Sequence, residues 1–254
     1  KALIDFDQAI ARKASEAMFH NNRGLALLDM DKLEEAHESL KKAVELDETL
    51  GLAYINRIHI YLAWEMYDKA LADGHLAVKY DGTGIAYNNR AFAAELSGDA
   101  EAALKDYEKA IELSPSDTDF LYNHADACHT LGRYDEALNS LYSILKYKPK
   151  HEAALQLRAS IYFDESQYRL AVADYSDLID LDPEDSVRHY NRGYTYYLMG
   201  AYKESVADLT NAIKLYEEDG DYFYYRAQSY FEWEKLPEAL ADAERAVKLN
   251  NEDE

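Results

Sequence analysis

The sequence predicts an all-α fold made of a repeated helix pair. Its 254 residues are rich in Ala, Leu, Glu, Asp and Lys and contain only four Pro and ten Gly, which is the composition of a helical protein. One apolar stripe recurs at a nearly constant interval along the chain. Turn-forming residues lie between the copies of that stripe. Together, these three observations predict a tandem array of helix pairs.

The recurring stripe places apolar residues at i, i+4, i+7 and i+8, which lie on one face of a helix. Successive copies start 34 residues apart, except for one step of 33 residues between the third and the fourth copy. Each copy predicts the second helix of a repeat, and the first copy belongs to a partial repeat at 1–16. The eight copies start at Ala2, Ala36, Ala70, Ala103, Ala137, Ala171, Ser205 and Ala239.

A second helical pattern, the first helix of each repeat, lies between the stripes and holds a small residue at a fixed place. A small residue there lets two helices approach closely, and only Ile58 departs from the rule. Gly98, Gly132 and Gly200 mark turns inside repeats, and prolines mark boundaries between repeats because Pro cannot continue a helix. The small residues are Gly24, Ala91, Ala125, Ala159, Gly193 and Ala227, and the boundary prolines are Pro115, Pro149 and Pro183.

This pattern resembles the tetratricopeptide repeat over nearly the whole chain, and the family's order of small and aromatic residues is met most fully at 84–117 and 152–185. The resemblance implies a right-handed α-solenoid superhelix of fifteen helices, a single array over 1–254 with the first helices on the concave face. Residues 1–16 are either the second helix of a truncated repeat, in a fragment of a longer protein, or an N-terminal cap. The seven full repeats are 17–50, 51–83, 84–117, 118–151, 152–185, 186–219 and 220–253.

The chain carries 27 Lys and Arg against 49 Asp and Glu, a net charge of −22. Phosphate binding needs a basic face, so this acidity argues against nucleic acid as a partner. The apolar runs are far shorter than a membrane span, which argues against membrane insertion. Cys128 is the only cysteine, so an internal disulfide is excluded and a cytoplasmic location is favoured.

The sequence contains no Ser/His/Asp or Cys/His arrangement typical of a nucleophilic enzyme, no P-loop and no HExxH zinc motif. We therefore predict no catalytic residue, no cofactor and no metal site. His124, Cys128 and His129 share one helix and come nearest to a metal-binding set. Cys128 occupies the place that Tyr61, Tyr162 and Tyr196 fill in other repeats, so packing is its favoured role.

A row of asparagines is the stronger functional signal. The sixth position of the repeat holds Asn in five of the seven repeats, and the resemblance places this position in the groove. Asn carries a donor and an acceptor, so a regular row can pair with the backbone of an extended peptide. The row is similar to the asparagine ladder of other peptide-binding arrays of this family, and the alternative is common usage on a helix surface. The predicted ladder is Asn22, Asn56, Asn89, Asn123 and Asn191.

Aromatic rings accompany the ladder, mostly in the C-terminal half of the chain. A rigid ring with a polar tip is a good anchor for the Pro, Arg or Lys side chains of a peptide. The alternative is packing between neighbouring first helices. With the negative charge, the rings favour a basic or Pro-containing segment. The predicted anchors are Tyr122, Phe163, Tyr190, Tyr194, Tyr197 and Tyr224.

The seventh position holds Arg in six repeats, and Asp stands sixteen residues after five of them. This spacing predicts ion pairs between the two helices of a repeat. At the remaining two places, Arg23 faces Ser39 and His124 faces Ser140. Pairing with the preceding repeat, as in Arg90 with Asp73, and a row of free arginines for an acidic ligand are the alternatives.

We predict a binding scaffold rather than an enzyme, one whose concave groove holds an extended peptide or a helix of a partner protein. A clamp for acidic chaperone tails, known in this family, needs lysines at groove positions where this chain has none. Three alternatives stay open. The first is an accessory region of a larger enzyme. The second is a structural scaffold that forms homo-oligomers through uncapped ends, and the third is a sensor of a small ligand or signalling peptide.

Overall fold

The computed structural model describes residues 2–252, and these residues form fifteen α-helices and no β-strand. The prediction of an all-α repeat fold with fifteen helices is confirmed. The chain groups into two compact units, Lys1–Ser140 (unit 1) and Leu141–Glu254 (unit 2). Lys1 and residues 253–254, which the predicted array includes, lie outside the described residues, as does the side chain of Ala2 in the first stripe.

In unit 1, the predicted partial repeat forms helix α1 (Ala2–Arg12), and complete helix pairs follow it. Helix α9 (Tyr134–Tyr147) contains the boundary between the two units. The first helices are α2 (Ala17–Leu28), α4 (Gly51–Ala63), α6 (Gly84–Leu96) and α8 (Thr118–Thr130). The second helices before α9 are α3 (Leu33–Leu46), α5 (Tyr67–Tyr80) and α7 (Ala100–Leu113).

Unit 2 contains three further helix pairs with the same alternation of first and second helices. Short turns join the members of each pair, so the two helices run antiparallel. The first helices are α10 (Glu152–Asp164), α12 (Ser186–Leu198) and α14 (Gly220–Glu232). The second helices are α11 (Tyr168–Leu181), α13 (Tyr202–Leu215) and α15 (Leu236–Glu252).

The repeated stripe forms the contact surface within each unit. The two helices of a repeat pack against each other, and successive first helices also touch, such as α2 with α4 and α12 with α14. Leu40 and Ala43 of the α3 stripe and Ala171 and Leu178 of the α11 stripe are fully buried. Burial of such side chains against the neighbouring helices holds a repeat array together. The handedness of the superhelix and the location of its concave face stay predictions.

The small residue of the first helix lets the two helices of a repeat approach closely, as the sequence predicts. A Cβ atom added at Gly24 would lie 2.6 Å from Leu40 Cγ, and one at Gly193 would lie 3.0 Å from Leu209 Cγ. The exception, Ile58, is fully buried, and its repeat has Gly74 where the first full repeat has Leu40. A Cβ atom added at Gly74 would lie 2.8 Å from Arg90 Cγ of the next first helix, so Gly at this place lets the following repeat approach closely.

The turn inside each repeat needs one residue in the left-handed region of backbone conformation. Gly98, Gly132 and Gly200 fill this place with φ of 94°, 71° and 74°, as their predicted turns require. The other four repeats use a residue with a side chain at the same place, with φ between 56° and 60°. This conformation is strained for residues other than Gly. The four residues are Asp31, Glu65, Ser166 and Glu234.

Replacing Glu65 or Ser166 with Gly is expected to stabilise the protein. Relief of the left-handed strain exceeds the added freedom of Gly in the unfolded chain, and we expect a gain of about 0.5–1 kcal/mol for each change. The midpoint of urea denaturation measures it. Gly132→Ala is the opposite control, since no atom lies within 4 Å of its added Cβ and only backbone strain can lower its midpoint. A lower midpoint for Glu65→Gly would contradict the explanation.

Candidate functional site

The predicted ladder in unit 1 lies on the first helices, and its amides also join neighbouring repeats. Asn56 Nδ2 donates to Asn21 Oδ1 at 2.9 Å, and Asn123 Nδ2 donates to Asn88 Oδ1 at 3.0 Å. Each bond connects the sixth position of a repeat to the fifth position of the preceding one. It uses one N–H of the donating Asn, whose second N–H and carbonyl oxygen stay available to a ligand. The side chains of Asn56 and Asn123 are half-buried.

The other ladder residues have different surroundings. Asn22 Oδ1 accepts a hydrogen bond from Asn21 Nδ2 at 3.2 Å. Asn89 is only 8% exposed, and its Nδ2 lies 3.3 Å from His59 Nε2 of the preceding repeat. Asn191 is half-buried on α12 in unit 2. The best-placed ladder amides in unit 1 are therefore those of Asn56 and Asn123.

The arginines of the seventh position form the predicted pairs. Five of them hold an Asp of the second helix of the same repeat through Nε and Nη2, with every N–O distance between 2.6 and 2.8 Å. Arg23 reaches Ser39 Oγ at 2.5 Å, and His124 Nδ1 lies 2.9 Å from Ser140 Oγ. The prediction of structural ion pairs is confirmed, and these arginines are not a free row for an acidic ligand. The pairs are Arg57–Asp73, Arg90–Asp106, Arg158–Asp174, Arg192–Asp208 and Arg226–Asp242.

Most of these arginines also contact the preceding repeat, which the sequence suggested only as an alternative to pairing within one repeat and with Asp73 as the example. Arg23 Nε donates to Asp7 Oδ1 at 2.8 Å, sixteen residues upstream. At the same spacing, Arg192 Nη1 donates to Ser176 Oγ at 3.0 Å. One guanidinium therefore joins both helices of its repeat to the second helix of the preceding repeat. The signal in the sequence is a polar or aromatic residue sixteen places before the arginine. Two further examples have the same spacing: Arg226 Nη1 donates to Thr210 Oγ1, and the guanidinium of Arg158 lies over the ring of Tyr142.

Five of the six predicted aromatic anchors come together in unit 2. Tyr190, Tyr194 and Tyr197 lie on one face of α12 at i, i+4 and i+7. The ring planes of Tyr190 and Tyr194 are inclined by only 8°, and those of Tyr194 and Tyr197 by 16°. Phe163 of α10 flanks Tyr194, with a centroid distance of 5.7 Å. Tyr122 belongs to unit 1, where it is half-buried on α8. With Tyr225, the unit 2 rings form the ring cluster, which is Phe163, Tyr190, Tyr194, Tyr197, Tyr224 and Tyr225.

Tyr225 of α14 is the centre of the ring cluster. Its centroid lies 4.4 Å from that of Tyr194 and about equally far, 6.0 and 6.1 Å, from those of Tyr190 and Tyr197. Tyr224 touches it edge-on at 5.1 Å. Tyr225 stands at the sixth position of one of the two repeats that lack the ladder Asn, and it was not among the predicted anchors. The signal in the sequence is a ring in place of the ladder Asn, directly after the predicted anchor Tyr224.

The surroundings of the ring cluster are anionic. Burial raises the pKa of Tyr225 to about 12, and a hydrogen bond with Tyr194 and the carboxylate of Asp221 act in the same direction. The pKa of Tyr190 is raised by burial first and then by Tyr225 and Asp221. The pKa of Tyr197 is raised by burial and next by Glu232. These phenols therefore stay neutral, and the contributions of Asp221 and Glu232 are ones that would favour a positive charge.

Within 2–252, no helix combines the length and apolarity that crossing a bilayer requires. The same part of the chain contains no group of three or more His, Cys, Asp and Glu side chains that could hold a metal ion. Cys128 Sγ lies 3.6 Å from His124 Nε2, and burial raises the pKa of the Cys128 thiol to about 11, which makes it a poor nucleophile.

Family models match most of the chain. Three models described as tetratricopeptide repeat match residues 17–56, 95–161 and 190–254, and one described as TPR repeat matches residues 159–200. Among solved structures, a TPR protein with an unusual peptide-binding site, YrrB, has a TM-score of 0.60 at 23% identity. The match covers 72% of this chain and 95% of that one. The structural likeness supports the repeat fold.

Curated relatives are similar over parts of longer proteins. Anaphase-promoting complex subunit 7 of Dictyostelium discoideum is 27% identical over 191 residues, which are 72% of this chain and 32% of the relative. Serine/threonine-protein phosphatase 5 of Rattus norvegicus is 36% identical over 87 residues, 34% of this chain and 17% of the relative. Such a short match does not carry phosphatase activity to this chain. The family matches and these relatives support a protein–protein interaction scaffold.

Proposed function

The chain belongs to the tetratricopeptide repeat family, and we propose that its first helices hold an extended segment of a partner protein. The observation that supports this most is the recurrent amide at the sixth position. Asn56 and Asn123 have the same half-buried setting and the same bond to the preceding repeat. Each bond fixes the orientation of a side chain that keeps a free donor and a free acceptor. Fixed, repeated amides suit a partner backbone, whose N–H and C=O groups also repeat.

Side-chain recognition is assigned to the aromatic anchors. The ring cluster in unit 2 and Tyr122 in unit 1 supply amphipathic rings on first helices. A basic or Pro-containing segment suits these rings. The net charge of −22 speeds association with a basic partner and makes it salt-dependent. Both surfaces are proposed to bind rather than to catalyse.

A triple variant, Asn56→Ala, Asn123→Ala and Asn191→Ala, tests the proposal. Random dodecapeptides are selected on the wild type, and the affinities of the selected peptides are measured by fluorescence anisotropy. Each lost hydrogen bond is worth about 0.5–1.5 kcal/mol, so the triple variant is expected to bind at least tenfold more weakly. Asn211→Ala on α13 is the matched control, since Asn211 is exposed on a second helix.

Folding and self-association are checked in the same samples. Circular dichroism and thermal melting show whether the triple variant stays folded, because Asn56→Ala and Asn123→Ala each remove a bond between repeats. Equal affinity of the folded triple variant and the wild type would contradict the role of the ladder. Co-purification of two differently tagged copies would instead support the self-assembling scaffold that the sequence leaves open.

A further inference from the structure

We propose that the ring cluster of unit 2 is a receptor for an arginine side chain of the partner segment. This inference rests on the proposed function and names the chemistry of one of its sites. The chemical class is a planar cation, held by ring faces and by nearby carboxylates. Three observations on the described residues of unit 2 lead to it: the arrangement of the rings, the charges around them and the absence of an internal cation.

The rings offer faces of the right kind. Tyr190, Tyr194 and Tyr197 stand as a near-parallel row on α12, while Tyr225 crosses the row at interplanar angles of 49° to 56°. Tyr224 is 46% exposed at the edge of the cluster, and the row itself is half-buried. A guanidinium is flat and weakly hydrated, so it stacks on such faces with little loss of solvation.

The charges around the rings attract a cation. Asp221 and Glu232 lie near the two ends of α14 and are exposed. Asp221 acts on Tyr190 and Tyr225, and Glu232 acts on Tyr197. Carboxylates that disfavour a phenolate favour a guanidinium at the same place by the same interaction. A proline, the other ring-binding side chain that the sequence suggests, would gain nothing from these charges.

The chain leaves this site without a cation of its own. Among the described residues of unit 2, no Arg or Lys lies over a ring of the ring cluster, whereas other rings carry one. Arg158 covers Tyr142 and Tyr162, and Arg226 covers Phe223 and Tyr230. Arg158, Arg192 and Arg226 are held by bidentate bonds to Asp174, Asp208 and Asp242. Arg188, also on α12, is held by Asp185, Glu152 and the carbonyl oxygen of Leu178. The cation must therefore come from the partner.

A short probe tests the inference separately from the ladder. The probe is a blocked heptapeptide of Gly and Ser with a central Arg, compared with the same peptide carrying citrulline or Pro. Chemical shifts of tyrosine rings labelled with carbon-13 are followed by NMR during titration of the whole chain. We expect the Arg probe to shift the cluster resonances and to bind about fivefold or more tightly than the citrulline probe. Its binding is expected to weaken as salt rises.

Variants locate the effect. Tyr194→Leu is expected to abolish the preference for Arg over citrulline, whereas Tyr147→Leu, at a ring that is 66% exposed outside the cluster, leaves it unchanged. Asp221→Asn with Glu232→Gln keeps every ring and is expected to reduce the preference at least twofold. This second variant decides the matter if Tyr194→Leu fails to fold.

The outcomes separate this inference from the proposed function. Equal binding of the Arg and citrulline probes, or a stronger response to the Pro probe, would overturn the arginine receptor even if long peptides bind through the ladder. An Arg preference that survives in the triple Asn variant would support the receptor even if that variant binds selected peptides as well as the wild type does. An Arg preference unaffected by both cluster variants would also overturn it.

Discussion

Replacing Asp174 with Ala is expected to lower the free energy of unfolding by about 3–5 kcal/mol. The Asp174 side chain is only 3% exposed and that of Arg158 is 18% exposed. Removal of the carboxylate leaves a guanidinium that is largely shielded from water and has lost both of its charge-assisted hydrogen bonds. A buried charge without its partner is among the most destabilising changes in a protein interior.

The surroundings of Arg158 prevent an easy escape into solvent. Its guanidinium lies over Tyr142 at 5.5 Å and over Tyr162 at 5.9 Å. The hydroxyls of these two tyrosines share a hydrogen bond of 2.6 Å. The arginine is thus held by α9 and α10 while its carboxylate partner stands on α11. Loss of Asp174 is expected to loosen all three helices.

Urea denaturation followed by circular dichroism measures the change, and amide hydrogen exchange of α10 and α11 shows where protection is lost. Glu45→Ala is the control, because the pair Lys42–Glu45 is about half exposed and such pairs contribute under about 1 kcal/mol. Replacing both Arg158 and Asp174 with Leu is expected to recover most of the loss, since no charge is left unpaired. Equal effects of Asp174→Ala and Glu45→Ala would refute the argument.

The fold could be predicted from the sequence because each repeat uses the same physical solution. The stripe that starts at Ala36 recurs in register, so its period alone predicted where the second helix of each repeat lies. The Arg–Asp pairs followed for the same reason. The spacing of sixteen between Arg57 and Asp73 joins the same two points of an antiparallel helix pair in each later repeat that has both residues.

Contacts between two repeats and the conformation of single backbone residues were harder to predict from the sequence. The bonds from Asn56 to Asn21 and from Arg192 to Ser176 depend on how neighbouring repeats pack, which a pattern within one repeat does not contain. The left-handed conformation of Glu65 is imposed by the turn, although the sequence offers no Gly there. Tyr225 was missed because its role depends on three rings of the preceding first helix.

A glycine at the start of a first helix carries the second large stability effect. Gly51 begins α4, and a Cβ atom added there would lie 2.5 Å from Asp81 Cβ and 2.8 Å from Asp81 N. Asp81 belongs to the segment that joins the second repeat to the third, so its backbone would have to move. Gly51→Ala is therefore expected to destabilise the protein by about 1–3 kcal/mol through overpacking, despite the better helix propensity of Ala.

Gly220 supplies a matched control for this argument. It begins α14 at the same place of its repeat, but the atoms that an added Cβ would meet belong mainly to the end of the exposed Asn250 side chain, which can rotate away. Gly220→Ala is expected to change the free energy of unfolding by under about 1 kcal/mol, in either direction. Thermal and urea denaturation measure the stability of both variants. Because both replace Gly with Ala at the start of a first helix, a difference between them reports the rigid Asp81 backbone against the flexible Asn250 side chain. Equal effects of the two substitutions would mean that close contact with the Asp81 backbone does not make Gly necessary at position 51.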